Sequence, residues 1–294
     1  MKAIQHILSI AAILSMIGIR PVHAISADLN GNGFEENKGQ ITTTLGEPAT
    51  FVKFRYTDGN ARIFLLENGI AYQFERLHFP EGYAEARIAA RQDLDQRALF
   101  DEMRQEVRLE TFRMDMLLEG ATRNARITTK GLCSDHTNYY AHDALRVPRY
   151  QEVIYHDVYP GIDWVIRTTE NGIKYDFIID PGADPSMIKL KFTDHEELYV
   201  DGGGRLIHGN RMGRFTEQGP VSFQGDKEIA TSFDLQGNIL RFNVGAHDHT
   251  KTLIIDPDRI WGTYYGGNGF DDGWEVATDS LGNVYSLAAP VPRA

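Results

Sequence analysis

The stretch Ile162-Asp-Trp-Val-Ile-Arg-Thr-Thr-Glu-Asn-Gly-Ile-Lys-Tyr-Asp-Phe-Ile-Ile179 decides the fold class. Apolar residues recur at every second position on both sides of Asn171-Gly172, the dipeptide that most favours a two-residue type I′ hairpin turn. A turn centred there sets Trp164 opposite Ile179 and Ile166 opposite Phe177 on one face. On the other it sets Arg167 across from Asp176, an opposite-charge pair, and brings Asp163 across from Asp180. A period of two, interrupted only by turn residues, means antiparallel strands.

Working outward, the same signature repeats. Arg62–Leu66 and Ile70–Glu75 flank Asn68-Gly69, and a turn there faces Leu65 with Tyr72 and Ile63 with Phe74. Val52, Phe54 and Tyr56 alternate with Lys53 and Arg55. Towards the C-terminus, strands are expected at 188–192, 198–200, 205–208, 221–223, 229–235, 239–244 and 252–255. Gly-, Asn- and Asp-bearing turns separate them, Gly202–Gly204 among these. Many short strands punctuated in this way predict a mainly β chain, an antiparallel β-sandwich-like domain. One segment departs from it: Tyr83–Glu119 contains neither Gly nor Pro. Ala84–Glu106 is rich in helix formers with a patchy apolar stripe (Ile88, Leu94, Leu99, Met103), so one inserted surface helix is expected within about 81–108. The period then switches, and Phe112, Met114, Met116 and Leu118 read as a strand.

The ends differ from this middle. Lys2 precedes the uncharged run Ile7–Ile19, Pro21 breaks it, and Val22-His23-Ala24 offers short residues for cleavage, so residues 1–24 read as a secretory signal peptide. No later stretch has the ~18 consecutive apolar residues of a membrane-spanning helix. The chain of 294 residues carries a net charge of −11. Without the leader, which holds Lys2 and Arg20 and no acid, 28 basic and 41 acidic residues leave −13. That balance argues against nucleic acid as a partner. The expected location is extracellular or at a bacterial cell surface, and the expected partner an extracellular ligand, glycan or protein.

Signals for chemistry are sparse. No phosphate loop, G-x-S-x-G elbow or H-E-x-x-H is present. Cys133, the only cysteine, lies near His136 without a catalytic signature, and it excludes an intramolecular disulfide. His247-Asp-His249 has alternate spacing but lacks a third ligand for zinc. Asp28-Leu-Asn-Gly-Asn-Gly33 opens like a calcium loop, yet its twelfth position is Gly39 in place of the bidentate Glu. Asp163 and Asp180 are the candidate acidic pair. Like charges directly across strands splay into water, hold a cation such as calcium, or act as the two carboxylates of a glycoside hydrolase. No cofactor is otherwise expected, and no residue is assigned a catalytic role outright.

Longer motifs carry a resemblance. Phe34-Glu-Glu-Asn-Lys-Gly-Gln40, Val153-Ile-Tyr-His-Asp-Val-Tyr-Pro-Gly-Ile-Asp163, Lys174-Tyr-Asp-Phe-Ile-Ile-Asp-Pro-Gly-Ala-Asp-Pro185 and Leu253-Ile-Ile-Asp-Pro257 occur in that order. Together they resemble a domain of unknown function at the N-terminus of secreted bacterial proteins with SBBP (beta-propeller) repeats. Trp261–Asp272 and Val276–Tyr285 are similar to the first such repeat, which here stops after Ser286. The resemblance implies a signal peptide (1–24), a β-rich domain (25–257) and a truncated propeller-type repeat (258–294). It also implies an exported, non-catalytic domain that precedes or presents a propeller and serves binding or adhesion. The alternatives are a secreted carboxylate-dependent glycan hydrolase acting through Asp163 and Asp180, and a calcium-stabilised adhesin.

Overall fold

A computed structural model describes residues 33–288 apart from 44, 59–60, 93, 170–171, 258, 265–272 and 279–283; for 58, 91–92, 94–96 and the residues from 259 onward it describes the backbone. The expected leader and the Asp28–Asn32 part of the calcium-like loop lie outside the described residues.

The N-terminal half contains β1 (Phe34–Glu36), β2 (Val52–Asp58), β3 (Ala61–Leu66), β4 (Gly69–His78), α1 (Tyr83–Gln92), α2 (Leu94–Gln105), β5 (Arg108–Leu118), β6 (Arg126–Tyr139) and β7 (Ala144–Tyr159). There follow β8 (Ile162–Thr169), β9 (Gly172–Ile179), β10 (Leu190–Thr193), β11 (Glu197–Val200), β12 (Leu206–Asn210), β13 (Gly213–Glu217) and β14 (Val221–Gln224). The last are β15 (Lys227–Ile229), β16 (Thr231–Gln236), β17 (Ile239–Val244), β18 (Leu253–Asp256), β19 (Arg259–Tyr264), β20 (Gly273–Thr278) and β21 (Val284–Ala288).

Fourteen strands form one path, β15-β14-β18-β9-β8-β7-β1-β2-β3-β4-β5-β10-β17-β16, and β6 is attached to β7. The path curls until its ends meet. β15 and β16 are joined by Ala230, whose carbonyl accepts from Gly245 N at 2.8 Å, and Thr231 Oγ1 donates to Ser222 Oγ at 2.7 Å. The mainly β expectation therefore holds, in the form of an antiparallel sheet nearly closed as a barrel. The run expected as a single strand, 229–235, is divided at Ala230, where the barrel closes. A four-stranded sheet, β11-β12-β13-β19, packs against it through aromatic rings. Tyr72 and Phe215 lie 4.6 Å apart and Phe192 and His208 5.2 Å. Gly213 lies so close to Phe74 that a Cβ there would come within 2.3 Å of its ring. β20 and β21 pair as a separate ribbon.

The expected hairpins form with a different register. Structure pairs Trp164 with Phe177, Ile166 with Tyr175 and Thr169 with Gly172. It pairs Ile63 with Tyr72, Leu65 with Ile70 and Leu66 with Gly69. Both are two residues away from the expectation, and an even shift leaves every side chain on its expected face. The cause is visible at Gly69, which is a strand residue and not half of the turn. A Cβ there would sit 2.4 Å from the Met116 carbonyl oxygen and 2.9 Å from Leu117 Cα, so glycine serves close approach of β5. Arg167 consequently lies diagonal to Asp176 and still reaches it, at 2.8 Å. Trp164, fully buried, stacks on Phe177 with ring centroids 6.2 Å apart and planes 12° from parallel. Such a contact adds about 0.5–1.5 kcal/mol to area burial.

The inserted helical segment is two helices where one was expected. They fold back on each other: the Tyr83 ring lies 5.2 Å from Phe100 and 4.8 Å from Phe79. A patchy stripe cannot bury a straight 23-residue helix, whereas a hairpin lets its few aromatics pack together.

Candidate functional site

The Phe34–Gln40 segment builds one wall of a groove whose opposite wall comes from β6 and β7. β1 supplies Phe34, which is fully buried, and Glu35, which is 6% exposed. Glu35 accepts from Arg55 at 2.6 Å, from the Tyr139 hydroxyl at 2.9 Å and from Gln40 Nε2 at 3.2 Å. Burial, then the bond to Glu35, raises the Tyr139 hydroxyl above the usual tyrosine pKa. The rest of the segment stitches itself together. Asn37 Nδ2 donates to the Ala49 and Val52 carbonyls, Gly39 N donates to Asn37 Oδ1, and Lys38 N donates to Gln40 Oε1. Gly39 takes φ +102°, which an L side chain resists. The loop thus has a structural reason for nearly every residue.

Beside it opens a groove of about 460 Å³ lined by Glu36, Asn37, Lys53 and Phe54 on one side and by Ile127, Thr128, Thr129 and Tyr150 on the other. Phe54 and Tyr150 meet edge to face with centroids 6.4 Å apart.

At the groove's rim the structure assembles three side chains that sequence reading did not connect. Thr128 Oγ1 on β6 lies 2.7 Å from His156 Nε2 on β7, and His156 Nδ1 lies 2.8 Å from Asp163 Oδ2 on β8. A register shift between Tyr155 and Tyr159 makes this arrangement. Asp157 takes φ +50° there, and its N–H donates to Asp163 Oδ1 at 2.9 Å. A hydroxyl, an imidazole and a carboxylate in series is the pattern by which a base is oriented towards a nucleophile. It is also the pattern by which a bulge is held in shape.

Asp163 is accordingly occupied, and not by Asp180. The register pairs Asp163 with Ile178, while Asp180 follows the end of β9 and its N–H donates to the Gly161 carbonyl at 2.9 Å. The expected cross-strand pairing of the two acids is corrected by the two-residue shift of the hairpin. Cys133 is half-buried over the Gly33 backbone, where an added Cβ would lie 3.0 Å from its sulfur. The His247 and His249 rings lie 4.4 Å apart, and His247 Nδ1 is 2.9 Å from the Gly245 carbonyl.

Two further polar systems lie away from the groove. In the core, the Tyr175 hydroxyl donates to Glu217 Oε2 at 2.9 Å, and His208 Nε2 lies 3.3 Å from Glu217 Oε1. All three residues are buried, and burial holds the Tyr175 hydroxyl well above its ordinary pKa. Across the barrel wall runs a ladder of charges. Lys130 meets Glu152 at 2.9 Å, Glu152 meets Arg167 at 3.6 Å, and Arg167 meets Asp176. Lys174 then bridges to Asp256 at 2.7 Å, linking β6, β7, β8, β9 and β18.

A family model described as a domain of unknown function (DUF7948) matches residues 34–258. No curated protein and no solved structure matches the chain.

Proposed function

We propose a function from one premise: the chain belongs to the DUF7948 family. On our reading it is an exported, non-catalytic β domain that precedes or presents a β-propeller and binds an extracellular ligand, glycan or protein, in the groove beside Phe34–Gln40. The observation that carries the reading is the lining of that groove. Tyr150 offers a half-buried ring, backed by the buried Phe54, while Lys53, Thr128 and Thr129 line the groove with polar groups. A concave site with aromatic surface and a few polar groups suits recognition of an extended chain of sugars or residues. The secretory reading of residues 1–24 and the four ordered motifs support the extracellular placement. Tyr150→Ala is expected to lower affinity for a ligand found on a glycan array or a secreted-protein array by roughly tenfold or more. Its circular dichroism spectrum should stay unchanged. Retained affinity in the folded variant would remove the groove from the reading.

A second reading, a secreted hydrolase, is favoured by the Thr128–His156–Asp163 series. Asp163 would then orient His156 instead of pairing with Asp180 in a carboxylate mechanism. A fluorophosphonate probe would label Thr128 in the native chain and not in His156→Ala. Absence of labelling in the native chain counts against this reading.

A further inference from the structure

β6 is the one long strand attached to the barrel by a single edge: among the described residues it pairs with β7 alone. Its two halves differ. From Arg126 to Lys130 the pairing with His156 to Glu152 is regular. Beyond that, Gly131 takes φ +65°, and the register shifts between Leu132 and His136 and again between Thr137 and Tyr139. Bulges of this kind protect an edge from adding another strand. The first five residues lack that protection, and they present about 17 Å of open edge.

This stretch coincides with the groove, because Ile127, Thr128 and Thr129 line it. Ile127 packs against the core, while Thr128 and Lys130 meet His156 and Glu152 on the other face, which Arg126 shares by alternation. Arg126 and Lys130 are exposed and bracket the open edge, Lys130 sharing its charge with Glu152 across the pair and Arg126 standing opposite His156. A second copy is a poor occupant, since antiparallel pairing of two such edges about Thr128 sets Arg126 against Lys130 twice. A strand with acids at the matching positions has the complementary charge.

We propose that the occupant of the site is an extended polypeptide segment that adds to β6 along Arg126–Lys130 as an extra strand. The segment carries acidic residues four positions apart, meeting Arg126 and Lys130, with uncharged residues between them. Main-chain hydrogen bonds supply affinity, and the side chains at the groove supply selectivity. This rests on the binding reading above and narrows its ligand to protein.

The test pans the full chain against a display library of random peptides of about twelve residues, in parallel with a glycan array. Selected peptides are expected to carry the paired acids and to slow hydrogen exchange at residues 126–130. N-methylation of alternate peptide amides is expected to abolish binding while methylation of the intervening ones does not, because only every second amide faces a neighbouring strand. Arg126→Glu is expected to weaken the selected peptides roughly tenfold at an unchanged thermal midpoint. Peptides that bind without this alternation, or away from 126–130, overturn the strand proposal. Glycan binding that Tyr150→Ala abolishes, without any peptide selected, also overturns it but leaves the binding reading standing. No binder from either source overturns both.

Discussion

At the scale of single residues, Asp176 is the most consequential charge outside the groove. It is 3% exposed and faces Arg167 and Lys174, with Asp256 close by. Burial is the largest influence and pushes its carboxyl up to about 6, while Arg167 pulls in the opposite direction. A carboxyl whose folded value is raised above the unfolded one favours folding fully below the ordinary carboxylate range. That contribution is lost as the pH rises through about 6. Wild type is therefore expected to lose stability relative to Asp176→Asn between about pH 4 and pH 6.5, read from urea midpoints of the two proteins. A gap that stays flat across this window would mean that the flanking cations, and not burial, govern Asp176. Asp163, half-buried, owes its interest to position: a side chain singled out for one neighbour turns out to serve another.

At the scale of elements, the helical hairpin α1–α2 is separable from the barrel. It leaves from β4 and returns to β5 at the pair His78–Arg108, and the ribbon beneath continues unbroken from there to Gly69–Leu117. Leu77 and Leu109, opposite one another at its outer end, are about half exposed, as are Ile88 and Leu99 on the helices. Replacing residues 80–106 by a short Gly/Ser turn is expected to preserve the strand signal in circular dichroism. The thermal midpoint should stay within a few degrees, because loop shortening across an intact ribbon costs little. A collapse of the midpoint would show that the hairpin carries part of the core. The helical character of this segment, though not its fold-back into two helices, and the strands with strict alternation were legible from the sequence. β17 spans Ile239–Val244 as its period predicts, and β8 and β9 keep their faces. β6 left no such trace. Arg-Ile-Thr-Thr-Lys-Gly-Leu-Cys-Ser-Asp-His-Thr-Asn-Tyr lacks alternation because much of it meets solvent on both faces and has a single neighbour. β13 hides for a related reason, having Phe215 as its one apolar residue among Gly213–Glu217. The candidate site depended on the first of these gaps, since Thr128 lies on β6. His156 reaches Thr128 and Asp163 through a bulge at a positive-φ aspartate, and no periodicity encodes that.

At the scale of the whole molecule, an antiparallel sheet of this size is closed by two different kinds of contact. The seam between β15 and β16 is nearly local, since Ala230 alone separates them in sequence. Elsewhere the wall depends on distant partners: β10 inserts between β5 and β17, and β18 inserts between β14 and β9. The ladder from Lys130 to Asp256 crosses five of these strands, so its charges meet only after the wall is complete. Most of these groups are largely withdrawn from solvent, so removing one partner leaves the other charge uncompensated and costs more than breaking an exposed pair.

The place of β1 in that wall has a consequence for the order of events during synthesis. Its first residue, Phe34, pairs with Tyr150, and Glu35 lies between Arg149 and Arg55. A ribosome delivers β2, β3, β4 and both helices long before β7, so the segment Phe34–Gln40 leaves with one neighbour and waits for the other. During that interval the buried carboxylate of Glu35 has Arg55 but not Tyr139, and the slot beside β1 stands vacant. Closure of the wall at β1 thus waits on a partner more than a hundred residues further along the chain, a non-local pairing of the kind that slows folding.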